Sequence, residues 1–246
     1  VINEKTAHSE ELAHSLAEGT AAVMAANAEL DAIEDLTDLF LDELNRLWTE
    51  PDLPEALRVG VFAQAPEYPV WVRFSSDVQP GRPDIKGTMG VGIKLFGVAG
   101  EKLLEPDQDA TTHDFILQNH DVFFVDTAKD MCEFTCQSLH GKGDDYLRQH
   151  PITQQILDDM AKQVPSVLVS DYWSVLPSRF GEGRYVKYKL EPIDPVPPAD
   201  GGPDYSDPFY LRADLHARIQ RGEARFRFMV QFQTNDEEMP LDAATV

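Results

Sequence analysis

Cationic side chains are scarce in this chain of 246 residues: 21 Lys and Arg stand against 43 Asp and Glu, a formal net charge of −22. A surface of that sign is repelled by phosphate backbones and anionic lipid heads, which argues against nucleic acid and membrane surfaces as partners. Cysteine is nearly absent. Cys132 and Cys136 are the two present, too few for a disulfide framework, and a reducing, cytoplasmic setting is expected. No apolar run is long enough to cross a bilayer. The first residues carry no basic segment followed by an apolar stretch, so no secretory leader is expected. Several catalytic signatures are missing as well. The run Gly87-Thr-Met-Gly90-Val-Gly92 lacks the Lys-Ser/Thr of a phosphate loop and leads into a strand pattern, which points to close backbone approach or a bulge. There is no Gly-x-Ser-x-Gly elbow and no His-Glu-x-x-His helix.

What remains is an ordinary globular composition, 42% hydrophobic and 26% charged, with length for one large domain or two small ones. The first fifty residues read as a helical extension. Asp31 with Glu34 has the form of a capping box, and Ile33, Leu36, Leu39, Phe40, Leu44, Leu47 and Trp48 follow at helical spacing up to Pro51. The period then changes to two. In Tyr68 to Ser76, Tyr68, Val70, Val72 and Phe74 alternate with Trp71, Arg73 and Ser75, so one face is apolar and the other presents the tryptophan, the arginine and the serine. Further strands are expected at 91–98, at 115–125 and through Phe226, Phe228, Val230 and Phe232. Helices are expected at 128–139, 152–163 and 208–221, with a surface loop over 192–208. Early and late strands with helices between them predict an α+β domain on an antiparallel sheet or barrel.

Three segments in order carry more information than any motif alone. They are Tyr68-Pro-Val-Trp-Val-Arg-Phe-Ser-Ser76, Gly90-Val-Gly-Ile-Lys-Leu-Phe96 and Asp114-Phe-Ile-Leu-Gln-Asn-His-Asp-Val-Phe-Phe-Val125, preceded by Leu53-Pro-Glu-Ala-Leu-Arg-Val-Gly-Val-Phe62 and followed by Arg184-Tyr-Val-Lys-Tyr-Lys-Leu190. Over about Leu53 to Gln233 this order resembles the catalase superfamily, in particular its small bacterial catalase-like haem proteins. The resemblance implies a catalase-like antiparallel β-barrel with flanking helices, spanning 51–246 behind the extension of 1–50, with haem as cofactor and a hydrogen or organic (lipid) peroxide as substrate. It implies Asn119 as the distal amide that donates to a peroxide oxygen. Ser75 matches the serine that orients the distal histidine, and Phe124 the aromatic that packs on the ring. Arg73 matches the arginine beside a haem propionate, a pairing suited to a bidentate cation.

The resemblance also has gaps. The distal histidine that moves a proton between peroxide oxygens has no counterpart in Glu34 to Asn45, an acidic amphipathic stretch. The Arg-x-x-x-Tyr helix that supplies the family's tyrosinate iron ligand would lie beyond Val246. An efficient catalase is therefore not expected. A haem-free member of the fold, its acidic N-terminal helices covering the pocket and mediating assembly into a homo-oligomer, is the alternative. Cys132, Cys136 and His140 share one helical face in principle. A zinc site needs a fourth ligand, so they read as core residues and a polar helix end, with no metal expected there.

Overall fold

The computed structural model describes residues 46–48, 52–64, 67–78, 84–103, 108–198, 201–241 and 243–245. The expected capping box at Asp31 and the stripe from Ile33 to Leu44 lie outside the described residues. So does most of the turn after Val78.

Among the described residues, eight strands form a sheet in the larger of two compact units, residues 45–124 with 155–246. They are β1 (Arg46–Trp48), β2 (Glu67–Ser76), β3 (Met89–Phe96), β4 (Thr112–Gln118), β5 (Tyr172–Trp173), β6 (Ser178–Arg179), β7 (Tyr185–Ile193) and β8 (Arg225–Phe232). Every pairing is antiparallel. The order runs β1-β2-β3-β4-β5-β7, with β6 sharing the β5 edge of β7 and β8 on its other edge. Val175 causes the break between β5 and β6. Its φ of 44° is uncommon for a β-branched residue, and the Ser174 hydroxyl holds the kink by accepting from Tyr188 N and donating to Leu176 O.

The α+β class with an antiparallel sheet is as expected. Closure is not: among the described residues no pairing joins β8 to β1 or β2, so the ladder is an open path rather than a closed barrel. The sheet still curls. The rings of Phe74 on β2 and Phe226 on β8 come within 6.4 Å across the interior.

Alternation explains the core. Val91, Ile93 and Leu95 of β3, Phe115 and Leu117 of β4, and Val186, Tyr188 and Leu190 of β7 all point inward and are buried. The short helix α1 (Val61–Gln64) adds Phe62, whose ring lies 5.9 to 6.5 Å from those of Phe115, Phe180, Tyr188 and Phe228. Three buried tyrosines use their hydroxyls as tethers: Tyr68 donates to Val61 O at 2.9 Å, Tyr172 to Val167 O at 2.7 Å and Tyr210 to Val164 O at 2.7 Å. Burial pushes the Tyr172 phenol upward and that of Tyr210 up to about 12, so both remain donors.

Two expectations change at their edges. The helical period predicted through Trp48 does not hold over residues 46–48, which pair as a strand with Glu67–Pro69. The strand expected to reach Val125 ends at Gln118. There Asn119 takes over the ladder with its side chain, and the turn to Val122 follows.

The smaller unit contains, among the described residues, 125–154. It holds α2 (Ala128–Leu139) and α3 (Gly143–Gln149). A capping box between Thr127 and Asp130 starts α2 and Gly141, at φ 70°, follows its end. Phe134 of α2 meets Tyr146 of α3 edge to face at 5.6 Å. Helix α4 (Pro151–Met160) follows directly, and α5 (Tyr210–Ile219) lies between β7 and β8 in the chain.

Candidate functional site

Register decides which side chains share the outer face of the sheet. Ser75 stands opposite Gly90, Gly90 opposite Gln118, Gln118 opposite Trp173, Trp173 opposite Lys189 and Lys189 opposite Met229. The neighbouring row is Arg73, Gly92 and Ile116, and the next is Trp71, Lys94 and Asp114. Facing residues on one side of a sheet are in contact range, so two glycines on β3 leave a bare strip between Arg73 and Ser75 on one side and Ile116 and Gln118 on the other.

The two glycines differ. A Cβ on Gly90 would fall 2.8 Å from Ser75 Oγ, so close approach accounts for it. A Cβ on Gly92 would meet nothing within 4 Å. Packing does not require a glycine at 92, and the space above it is open. The walls of this strip are apolar and exposed: Ile116 is 78% and Trp71 57% accessible. Trp71 is braced edge to face by Phe96 at 5.1 Å.

Charge is distributed unevenly across the face. Lys94 is paired with Asp114 at 2.7 Å, and Lys189 with Asp171 at 2.7 Å while lying over the Trp173 ring. Arg73 is exposed and has no ion pair or hydrogen bond among the described residues. A guanidinium with no partner among the described residues, beside an open apolar strip, is suited to an external carboxylate or phosphate.

Arg73 and Ser75 are thus brought together as the sequence predicts. Asn119 is placed elsewhere. Its backbone N–H donates to Met89 O at 2.9 Å and its Oδ1 accepts from Met89 N at 2.8 Å, so it continues the inner row rather than the row of Ser75. It is 1% exposed, and its Nδ2 is a buried side-chain donor with no hydrogen-bond partner among the described residues. A buried amide donor left open in this way is rare. Phe124 is half-buried, its ring 4.7 Å from that of Phe123, whose backbone N–H donates to Ala244 O.

Gln118 is the residue that sequence reasoning missed. It occupies the Ser75–Gly90 row, half-buried, with Nε2 donating to Val122 O at 3.1 Å. The signal was alternation: once Arg73 and Ser75 define a face, the register of β3 and β4 selects Gln118 over Asn119.

No family model and no curated protein matches the sequence. Solved structures do match. One of them, a bacterial catalase, superposes with a TM-score of 0.60 at 16% identity, over 88% of this chain and 48% of that one. The fold is catalase-like. This chain spans about half the length of that catalase, and the likeness is one of fold alone.

Among the described residues no cluster of three His, Cys, Asp or Glu side chains is arranged to hold a metal ion, and no helix is long and apolar enough to cross a membrane. The residues do fit part of what haem requires. The open floor at Gly92, the apolar walls and Arg73, unpaired among the described residues, suit a flat ring with carboxylate substituents, whereas Asn119 lies off this face in the inner row. An axial ligand for iron is assigned to none of them.

Proposed function

We propose that the outer face of β2, β3 and β4 binds a planar, carboxylate-bearing ring of the haem type, and that the protein acts there on a hydrogen or organic peroxide. The observation that carries this reading is Arg73, unpaired among the described residues, beside the open Gly92 floor. Arg73 anchors a ring carboxylate, with the Ser75 hydroxyl beside it as a second polar contact on the same edge. Ile116 and Trp71 exclude water from the ring faces. Phe124 is the further ring-packing residue that the catalase resemblance implies. Asn119, the peroxide donor that the catalase resemblance implies, has its carboxamide held by Met89 N in the inner row, so the outer-face site gives it no contact with the ring. Haem, when bound, supplies the redox chemistry of O–O cleavage. Without a distal imidazole, proton transfer between the two oxygens is slow, and dismutation at catalase rates is not expected.

A second reading, a haem-free catalase fold with a binding or assembly role, draws on the exposed Trp71, Ile116 and Met229 of the same face. Titration with haemin, followed by the Soret band, separates the two. Under the first reading Arg73→Ala weakens binding about tenfold, the loss of one charge-assisted contact. Gly92→Leu abolishes binding while the unfolding midpoint holds. Absence of a Soret change in the unsubstituted protein sinks the peroxide enzyme and leaves the binding role.

A further inference from the structure

Helix α2 is unusual in having no buried residue over its twelve positions, although its sequence is amphipathic. Cys132 and Cys136, expected to be core residues, are half-exposed free thiols. Four residues apart on a helix, they stand one above the other on the same face. Helix geometry separates their Cα atoms by about 6 Å, within the range a disulfide spans.

The second observation concerns His140, the C-cap of α2. Its Nδ1 lies 2.8 Å from Cys136 O and 3.7 Å from Cys136 Sγ. A carbonyl oxygen can only accept, so Nδ1 carries the proton, and the same N–H faces the sulfur. Cys136 therefore has a donor beside its sulfur, the partner a thiolate nucleophile uses. Cys132 has no such neighbour among the described residues.

We infer that Cys132 and Cys136 are a peroxide-responsive thiol pair, with Cys136 the attacking and Cys132 the resolving residue. Cys136 sulfur attacks one oxygen of a hydroperoxide. The O–O bond breaks, the other oxygen leaves as water or an alcohol after taking a proton, and Cys136 becomes a sulfenic acid. Cys132 sulfur then attacks the Cys136 sulfur, the S–O bond breaks, and water leaves. Two thiols are oxidised to one disulfide and one peroxide is reduced. Bridging requires the end of α2 to yield locally, which a helix without a buried residue allows at low cost. None of the outer-face residues takes part.

The test uses the full chain without haem, reduced, freed of reductant and treated with hydrogen peroxide or an organic hydroperoxide. Peptide mass spectrometry is expected to find loss of two hydrogens in the segment carrying both cysteines, reversed by a dithiol reductant. Cys132→Ser should accumulate a sulfenic acid at Cys136, trapped by dimedone. Cys136→Ser should react about tenfold more slowly at its remaining thiol. His140→Gln should slow the oxidation of Cys136 severalfold with far-ultraviolet circular dichroism unchanged. Separate oxygen additions on both cysteines of the unsubstituted chain, or equal rates in the two serine variants, would overturn the proposal. Neither result bears on haemin binding, so failure here and failure of the outer-face reading are distinguishable.

Discussion

At Asn119 a single carboxamide ends a strand. Its oxygen satisfies the buried Met89 N–H where β4 runs out, and its Nδ2 has no partner among the described residues. Asn119→Ala strands that N–H, and a buried unsatisfied donor costs about 1–3 kcal/mol. The urea midpoint should fall accordingly, with the slope of the transition unchanged; an unaltered midpoint would mean water reaches Met89. His113 offers a second test. It faces inward beside Phe115, edge to face at 4.8 Å, and burial, then the charge of Lys102, hold its imidazole below the usual range, with Asp114 opposing. A depressed folded-state value favours the neutral ring. Its contribution to stability is present above the ordinary histidine range and lost as pH falls through it towards the folded value. His113→Phe should remove part of the stability loss between about pH 7 and 5, read from denaturation midpoints at several pH values. Residues of this kind were legible unevenly. Arg73 and Ser75 followed from alternation within one strand. The placement of Asn119 and Gln118 did not, because a step of one residue exchanges the two faces and nothing local marks where β4 stops.

At the scale of elements, α2 was read to its ends from the sequence because it is locally determined, by a capping box before it and a glycine after it. Helix α3 escaped notice: it begins at Gly143 followed by two aspartates and carries no apolar stripe. β1 was read as helix because Leu47 and Trp48 extend the helical period of the preceding residues, and only pairing with β2 makes them a strand. Helix α5 owes its placement to a contact equally invisible in sequence. Arg218 Nε donates to both carboxylate oxygens of Asp214 at 2.8 and 2.9 Å, both side chains are nearly inaccessible, and a guanidinium N–H of Arg218 donates to Val196 O. The pair ties α5 to the loop after β7. Asp214→Ala leaves a buried, uncompensated guanidinium and should cost about 3–5 kcal/mol. The double variant Asp214→Ala with Arg218→Met should recover part of that loss. Equal midpoints for the single and double variants would mean that the anchor to Val196, not the ion pair, holds the loop.

For the whole molecule, the antiparallel α+β architecture could be read from the order of periods along the chain. Whether the sheet closes could not, since closure depends on twist and register accumulated over every strand rather than on any segment. The excess of carboxylates acts at this scale too. A formal charge of −22 distributed through the sequence raises the free energy of the compact state by self-repulsion. Opposing it are ion pairs such as Lys94–Asp114 and Arg227–Glu191, both largely exposed, each worth at most about 1 kcal/mol and themselves weakened by salt. Repulsion among many like charges therefore outweighs them, and screening should stabilise the fold. The Debye length shortens from about 30 Å at 0.01 M to about 10 Å at 0.1 M salt, so most of the gain should come below about 0.15 M and then level off. A gain of roughly 2 kcal/mol would raise Tm by about 4–8 °C for a chain of this size. Calorimetry across a sodium chloride series checks this. A Tm that rises and saturates supports repulsion as the dominant electrostatic contribution, whereas a flat or falling Tm would show that the exposed ion pairs outweigh it.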